Sequence, residues 1–335
     1  MTENLQILLR EKPQGRLIAE HFEARSVPRA APNDGEVLVR SVLLSLDAAN
    51  RAWLQGATYK SAVNPGDVMH GLAIGVVAES RSPDFKAGDV VMGELGWQEW
   101  AVLPARALRR CPDHRPLSEL HSLIGVAGLT AYHGLLSVSG IAEGETLLVS
   151  AAAGSVGSLV GQIGKIKGAR VVGIAGGPEK CAWVVSALGF DACIDYKNED
   201  VPAALRTHCP TGVDVYFDNV GGPILQAALF AMRNRGRIAC CGAVSQYDSA
   251  APKSPAGIPG LLVVKRLRME GFIVTDYADQ NERALSDLMS WSKAGKLKVA
   301  EDIISGLACA PAALVGLLAG ENRGKRMIRV SADPS

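Results

Sequence analysis

The sequence lacks the features of several functional classes. Its 35 Lys and Arg residues offset 34 Asp and Glu residues, and neither sign forms a long run. A nucleic-acid or anionic-membrane binder would show a basic stripe, so we expect neither partner. The seven cysteines include no CxxC pair and no zinc-ribbon spacing, which argues against a disulfide framework. The N-terminal MTENLQILLREKPQG has no apolar segment of a signal peptide, and we expect a reduced, cytoplasmic protein.

One uncharged stretch, Thr146 to Gly164, is long enough to span a bilayer. It contains four glycines, three serines and Gln162, and a buried strand followed by a turn and a helix explains it better than a membrane span. With 335 residues, of which 48% are hydrophobic and 21% charged, the chain has the composition of an ordinary globular protein. Its length suits about two domains.

The pattern before about residue 120 is one of strands and turns. Strand-like runs cover residues 36–47 and 71–80, and residues 88–104 indicate a strand, a turn and a second strand. Pro, Gly and Asp separate these runs at short intervals, which favours a compact all-β unit.

After about residue 122 short apolar runs alternate with segments of helical length. The runs cover residues 146–150, 170–174, 192–195, 213–218, 236–242 and 268–274. Such strands, apolar on both faces, predict a doubly wound parallel sheet, with a first crossover helix at residues 155–168. The C-terminal segment ends in the strand-like 326–330 and is expected to return to the first domain. We therefore predict an α/β protein with a β-rich domain (1–122 and 301–335) and a parallel-sheet domain (123–300).

The strongest motif is Ala152-Ala153-Gly154-Ser155-Val156-Gly157, between the first parallel strand and its helix. It matches the dinucleotide fingerprint GxGxxG with Ala152 in place of the first glycine. Gly154 would let the backbone approach a pyrophosphate, Gly157 would let helix and strand pack closely, and the helix N-terminus would attract the phosphates. Small residues also occur where a helix merely crosses a sheet, but the position after a strand favours dinucleotide binding.

The residues after the second strand of this sheet predict which dinucleotide is bound. NAD-binding proteins place an acidic residue about 20 residues after the glycines, where it binds the ribose 2′-hydroxyl. Here Ile174 is followed by small residues, then Glu179 and Lys180. A lysine would hold the 2′-phosphate of NADP(H), while Glu179 serves the helix dipole. The competing interpretation of Lys180 is a solvated surface lysine.

Several segments together resemble one known group. These are the β-rich N-terminal half, AAAGSVGSLVGQIGKIKGARVVG, FDNVGG (217–222), CGAVSQY (241–247) and GENRGK (320–325). They resemble the zinc-independent medium-chain dehydrogenases/reductases, in the alkenal/one oxidoreductase branch that includes prostaglandin, double-bond and curcumin reductases. The resemblance implies a GroES-like catalytic β-domain, a Rossmann-type NADP(H)-binding domain and NADPH-dependent reduction of the C=C bond of α,β-unsaturated ketones or aldehydes. It also implies a homodimer.

The resemblance implies a set of cofactor-binding positions. The pyrophosphate would lie on Gly154, Ser155, Val156 and Gly157, and the adenosine phosphate on Lys180 and Tyr196. The rest of the cofactor would contact Asn219, Cys241, Gly242, Ala243, Val244, Ser245, Gln246, Tyr247, Phe272, Ile273, Val274 and Asn322. Asn219 is also a good turn residue, and Phe272 to Val274 would be ordinary core in any sheet.

The sequence departs from the family in segments that border its substrate pocket. Leu46-Asp47 is followed by Ala48-Ala49-Asn50-Arg51 where the family has proline-tyrosine-methionine-arginine, and His70 stands where an arginine is common. Zinc-dependent members carry Gly-His-Glu where this chain has His70-Gly71-Leu72, and only Cys111 lies where they have four cysteines. We therefore expect no catalytic or structural zinc.

Without a metal, hydride addition must be assisted by a hydrogen bond to the enolate oxygen and by a proton for the α-carbon. Tyr247, after the fifth parallel strand, is the first candidate for both tasks, and Tyr59 is the second. Either tyrosine could be only packed or solvated, with solvent as the proton source, and His133 is expected to be structural. Two alternatives remain: an NADPH:quinone oxidoreductase and a non-catalytic NADPH-binding protein.

Overall fold

The computed structural model describes residues 3–56, 58–248 and 255–334. The chain divides into two units, Met1–His121 with Glu301–Ser335, and Ser122–Ala300.

The chain begins with seven strands and two α-helices, and the second helix crosses the boundary between the two units. They are β1 (Glu3–Leu9), β2 (Phe22–Pro28), β3 (Glu36–Ser45), α1 (Ala49–Ala52), β4 (Leu72–Ser80), β5 (Val90–Glu94), β6 (Trp100–Pro104), β7 (Arg109–Arg110) and α2 (Leu117–Ile124). The strand pattern predicted an all-β segment, and the two helices show that this prediction was wrong in part. In α2 the buried Leu117, Leu120 and Ile124 recur at helical spacing, which a search for alternating residues misses.

The second unit alternates strands with helices. Its elements are α3 (Val126–Tyr132), β8 (Thr146–Ser150), α4 (Ser155–Ile166), β9 (Arg170–Ala175), α5 (Pro178–Leu188), β10 (Ala192–Asp195), α6 (Val201–His208), β11 (Val213–Asp218), α7 (Gly222–Ala231), β12 (Met232–Cys240), α8 (Val244–Tyr247), α9 (Ile258–Lys265), β13 (Arg268–Gly271) and α10 (Asn281–Lys293). The six strands form one parallel sheet in the order β10-β9-β8-β11-β12-β13. This Rossmann-type order confirms the predicted fold class.

The sheet is apolar on both faces, because helices cover it on both sides. Leu148 of β8 pairs with Val172 of β9 and with Tyr216 of β11. All three side chains are buried in one core cluster. This is why β8 and β9 are almost continuous apolar runs in the sequence, whereas β13, at the edge of the sheet, is mostly exposed.

Two strands of this sheet end earlier than predicted. β12 ends at Cys240 and not at Gly242, and β13 ends at Gly271 and not at Val274. The chain leaves the sheet at Phe272, whose ring fills the space beside Gly134, where a β-carbon would lie 2.4 Å from the ring. The same ring packs edge-on against Phe217.

The chain then returns to the first unit. The last elements are β14 (Glu301–Ser305), α11 (Ala310–Leu318) and β15 (Lys325–Arg329). β15 pairs antiparallel with β3, with Met327 opposite Ser45, and parallel with β14. The resulting sheet has the order β14-β15-β3-β4-β5-β7, with β6 also on β3. Its core includes the fully buried Trp97.

In the described part of the chain, no helix is both long and apolar enough to cross a membrane. The uncharged stretch Thr146 to Gly164 folds as β8, a turn and most of α4.

Candidate functional site

Every predicted cofactor residue of the second unit lies at one edge of the parallel sheet. Each follows the carboxyl end of a strand, and parallel strands present those ends on the same side. The six loops concerned follow β8, β9, β10, β11, β12 and β13. Two other predicted residues, Tyr59 and Asn322, lie in the first unit.

The glycine turn between β8 and α4 is built around contacts that exclude side chains. A β-carbon on Gly157 would lie 2.3 Å from the carbonyl oxygen of Ala151, and one on Gly154 would lie 3.1 Å from it. Ala152, at the position of the first fingerprint glycine, is fully buried. Its methyl group is accommodated because Gly173 on β9 has no side chain, a β-carbon there being 2.8 Å away. Gly173 thus compensates for the missing first glycine.

The same turn presents unused donors. α4 begins at Ser155 with no side chain capping its first turn, so its first N–H groups carry the partial positive charge of the helix end. The Ser155 hydroxyl is buried and has no hydrogen-bond partner among the described residues. A dinucleotide's diphosphate fits this donor set of helix N–H groups and a hydroxyl beside side-chain-free glycines.

The loop after β9 is held by a carboxylate from the neighbouring strand. Asp195, the last residue of β10, accepts hydrogen bonds from the Gly177 amide at 2.7 Å and the Lys197 amide at 3.0 Å. Burial alone would raise the pKa of Asp195, but the bonds from Asn198, Gly177 and Lys197 outweigh it and the pKa lies below its ordinary value. The Asp195 carboxylate therefore holds the loop after β9 in place through hydrogen bonds from backbone amides.

Tyr196 and Lys197, which follow β10, pack against the loop after β9. The Tyr196 ring lies 2.9 Å, and the Lys197 Cε 3.0 Å, from the position that a β-carbon of Gly176 would take. Lys180, half-buried, lies in the first turn of α5, after the exposed Glu179. Lys197, directly after Tyr196, is not among the residues predicted from the sequence. Glu179 lies at the helix start, as its proposed dipole role requires.

The turn after β11 is tied to the end of β8. The side-chain amide of Asn219 donates to the Ser150 carbonyl at 2.8 Å, and its backbone amide donates to the Ser150 hydroxyl at 2.9 Å. Asp218 is buried and accepts from the amides of Val220 and Gly221. Burial raises the pKa of Asp218 above its ordinary value. Asn219 therefore acts as a turn residue here, which supports the alternative interpretation of its side chain.

The loop after β12 is fastened to that same turn. The amides of Cys241 and Gly242 donate to the Asp218 carbonyl at 2.9 and 3.1 Å. The amide of Val244 donates to the Asn219 carbonyl at 3.2 Å. The predicted residues Cys241, Gly242, Ala243, Val244, Ser245, Gln246 and Tyr247 are thus brought beside the β11 turn.

The Tyr247 hydroxyl turns back onto its own loop. It accepts a hydrogen bond from the Ala243 amide at 3.1 Å. A β-carbon on Gly242 would lie 3.1 Å from the same oxygen, so Gly242 makes room for it. Burial raises the pKa of the Tyr247 phenol above its ordinary value. The phenol therefore keeps its proton at neutral pH, the state in which it can donate to a substrate oxygen or carbon.

The loop after β13 carries Phe272, Ile273 and Val274, all half-buried. Phe272 is committed to its contacts with Phe217 and Gly134. Its side chain therefore behaves as core, whereas the backbone of the loop follows the carboxyl end of a strand like the other five.

In the first unit, Tyr59 is half exposed and packs edge-on against the buried Trp53. The Lys60 ammonium lies 4.4 Å from the centre of the same Trp53 ring and 2.6 Å from the Glu94 carboxylate. A cleft of about 430 Å³ opens beside these residues. It is lined by Lys60, Ser61, Val68, Met69, His70, Glu94, Leu95, Gly96 and Gln98.

Asn322 lies in the turn before β15, where its side-chain amide donates to the Gly324 carbonyl at 2.8 Å. Lys325, which follows, is buried and donates to the Asp47 carboxylate at 2.5 Å and the Leu46 carbonyl at 3.2 Å. Burial alone would raise the pKa of Asp47, but the Lys325 charge and hydrogen bonds lower it. The GENRGK segment is therefore anchored to the end of β3.

His70 and Cys111 lie in the segments where zinc-dependent members carry metal ligands. The backbone carbonyl of His70 accepts from the Asn50 side chain at 3.1 Å. Burial raises the pKa of the Cys111 thiol to about 11. Within the described ranges, no three His, Cys, Asp or Glu side chains are grouped as a metal site.

Two family models match the chain. The model described as the N-terminal domain of oxidoreductase matches residues 5–111, and the model described as zinc-binding dehydrogenase matches residues 155–291.

Individual relatives match over nearly the whole length. A putative NADP-dependent oxidoreductase of Bacillus subtilis is 44% identical, and the NADPH-dependent curcumin reductase of Escherichia coli is 40% identical. Each alignment covers 98% of both chains. The crystal structure of CurA from Vibrio vulnificus in complex with NADPH superposes with a TM-score of 0.93 at 38% identity, covering 98% of this chain and 100% of that one.

Proposed function

The chain belongs to the medium-chain dehydrogenase/reductase family, in its alkenal/one oxidoreductase branch, and on this basis we propose that it reduces the C=C bond of α,β-unsaturated ketones and aldehydes with NADPH. The observation that carries the proposal is the common edge of the parallel sheet. There three adjacent strands are followed by a glycine turn, by Lys180 and by Tyr196 with Lys197, and the serine hydroxyl of the turn has no hydrogen-bond partner among the described residues. The named NADPH-dependent relatives support the same assignment.

The cofactor would be held by backbone groups and a few side chains. The Gly154–Gly157 turn would bind the diphosphate, and Lys180, Lys197 and Tyr196 would bind the 2′-phosphate. The loops at Asn219, Cys241–Tyr247 and Phe272–Val274, with Asn322, would contact the remainder. When bound, NADPH supplies the hydride that is added to the β-carbon of the substrate. The cofactor-binding domain would comprise residues 123–300. The catalytic domain would comprise residues 1–122 and 301–335.

The residues must then stabilise the negative charge that reaches the carbonyl oxygen and supply a proton to the α-carbon. We assign both tasks first to Tyr247. Its hydroxyl is positioned by the Ala243 amide, and burial raises its pKa, so it is protonated at neutral pH. Tyr59, half exposed beside Trp53, is the second candidate.

We propose that this chemistry needs no zinc, although one matching family model is described as a zinc-binding dehydrogenase. The His70-Gly71-Leu72 sequence and the single cysteine, Cys111, where zinc-dependent members have four support this. Turnover should be unchanged after dialysis against EDTA, and a loss restored by Zn²⁺ would contradict the proposal. A cytoplasmic location is part of the same proposal, and the absence of paired, regularly spaced cysteines in the sequence supports it.

We also propose a homodimer that pairs β13 with its copy. Among the described residues β13 pairs only with β12, which leaves its other edge open. Nearby helices expose large apolar side chains, namely Phe230, Val263 and Val264. In an antiparallel pairing centred on Met269, Arg268 of one copy would face Glu270 of the other. Gel filtration showing only a monomer would overturn this.

The function is tested by NADPH oxidation with a simple enone, followed by mass spectrometry of the product. A saturated ketone supports the proposal. An allylic alcohol would mean carbonyl reduction and would contradict it. Reduction of a quinone with no consumption of the enone would assign the chain to the quinone reductases, and NADPH binding without turnover on either acceptor would indicate a non-catalytic protein.

A further inference from the structure

Two cysteines lie close in sequence to Lys180, in α5, and to Tyr196, after β10. Cys181 is in the first turn of α5 and Cys193 is in β10. Both are free thiols, and their sulfur atoms are 3.1 Å apart. A disulfide bond is about 2.05 Å long, so closing it needs a movement of about 1 Å.

The packing around the two sulfur atoms directs them toward each other. Cys181 is buried, with its Sγ 4.0 Å from the Ala175 carbonyl oxygen. The Sγ of the half-buried Cys193 lies 3.3 Å from the position that a β-carbon of Gly173 would take. The absence of a side chain at Gly173 therefore leaves room for the Cys193 sulfur beside Cys181.

Short stretches of backbone connect both cysteines to the residues proposed to bind the 2′-phosphate. Cys181 directly follows Lys180. Asp195, two residues after Cys193, holds the amides of Gly177 and Lys197. A movement that draws α5 toward β10 at the cysteines must therefore displace Lys180 relative to Lys197.

We propose that Cys181 and Cys193 are a redox modification site, which a hydroperoxide converts to a reversible disulfide that weakens binding of the NADPH 2′-phosphate. The inference rests on the proposed function for its effect on NADPH, but not for formation of the disulfide. It also gives a use to two thiols that the reduction of an enone does not need.

The oxidation is a balanced two-electron step. The Cys193 sulfur attacks the terminal peroxide oxygen and the O–O bond breaks. Cys193 becomes a sulfenic acid, and the other peroxide oxygen takes the thiol proton and leaves as an alcohol or as water. The Cys181 sulfur then attacks the sulfenic sulfur of Cys193, so the S–O bond breaks, the S–S bond forms and a water molecule leaves. Two thiols of a reductant return both electrons by thiol–disulfide exchange.

The surroundings of the two thiols should make their oxidation slow. Burial raises the pKa of both thiols, and the neighbouring carboxylates of Asp195 and Glu199 act in the same direction. Since the thiolate is the reacting form, oxidation should be slower than at an exposed cysteine and should accelerate as the pH rises.

The test treats the native protein with hydrogen peroxide, blocks the remaining thiols with N-ethylmaleimide and maps the peptides by mass spectrometry. We expect a Cys181–Cys193 cross-link that dithiothreitol reverses. It should be absent in Cys181→Ser and in Cys193→Ser, and retained in the control Cys209→Ser, which changes another buried cysteine of the same unit. Free thiols at both positions, or sulfinic acid without a cross-link, would overturn the proposal.

The second measurement is cofactor affinity before and after oxidation. The oxidised protein should bind NADPH about tenfold more weakly, as expected for one lost hydrogen bond to a charged group, and NADH with unchanged affinity. A cross-linked protein with unchanged NADPH affinity would overturn the regulatory effect. If the reduced protein binds no NADPH, the proposed function fails, whereas the cross-link is still decided by the peptide map.

Discussion

The charge that recognises the 2′-phosphate can be tested by neutralising one lysine at a time. Lys180 lies half-buried in the first turn of α5. Lys197 follows β10, is exposed, and lies against Gly176 in the loop between β9 and α5. Lys180→Met and Lys197→Met keep most of each aliphatic chain and remove only the ammonium group. Glu179→Gln changes the charge of the same helical turn without removing a donor, which makes it the matched control.

The burial of the two lysines sets the expected magnitudes. A hydrogen bond between charged groups contributes about 1.5–3 kcal/mol, so we expect Lys180→Met to raise the Kd for NADPH about tenfold or more. An exposed ion pair contributes about 0–1 kcal/mol, so Lys197→Met should raise it no more than about fivefold. Glu179→Gln should not weaken NADPH binding. None of the three should change the Kd for NADH, which has no 2′-phosphate.

The assay is titration of each variant with NADPH and NADH by cofactor fluorescence, at two salt concentrations. The selective loss should shrink at high salt, because the interaction is between charges. Equal losses for NADPH and NADH in Lys180→Met would refute the reasoning, since the lysine would then support the loop and not the phosphate. A larger loss in Lys197→Met than in Lys180→Met would refute the ranking by burial.

Three further predictions follow from single residues. Tyr247→Phe should lower kcat about 100-fold with little change in NADPH affinity, and unchanged turnover would make solvent the proton source. Gly157→Ala should cost about 1–3 kcal/mol in unfolding free energy and weaken NADPH binding, whereas Gly154→Ala should cost less stability; equal melting temperatures would contradict the 2.3 and 3.1 Å clearances. Burial, with the Lys325 charge, lowers the pKa of His121 from 6.5 to about 4. The unfolded chain therefore binds the extra proton first, and stability should fall by about 3 kcal/mol between pH 6.5 and 4, as urea unfolding would measure, with the slope reduced in His121→Leu.

The glycine turn could be predicted from the sequence because its geometry depends on backbone contacts. Only a residue without a side chain fits at Gly157, and the strand before it and the helix after it are apolar in the expected rhythm. The tolerance for Ala152 could not be predicted. It depends on Gly173, which comes from the next strand and meets Ala152 only through the register of the sheet.

The loop after β9 shows where a motif rule stops short. The rule concerns an acid at the end of β9, and its absence correctly favoured NADP(H). The carboxylate that shapes the loop belongs to Asp195, at the end of β10, where it binds the amides of Gly177 and Lys197. Only the sheet order β10-β9-β8 brings this side chain to the loop, and that order cannot be derived from the spacing of residues along the chain.

Asn50, which departs from the family pattern after Asp47, and Arg51, which keeps the family's arginine, both have a structural role in this chain. Asn50 is buried, accepts from the Asp47 amide at 2.8 Å and donates to the His70 carbonyl at 3.1 Å. Arg51 is equally buried and donates to the Gly15 carbonyl at 2.8 Å. Both side chains are therefore used to fasten the segment between β3 and β4, and neither is available to a substrate. Within this unit, discrimination among substrates must come from groups that border open space, of which Tyr59 and the cleft at His70 are the strongest candidates.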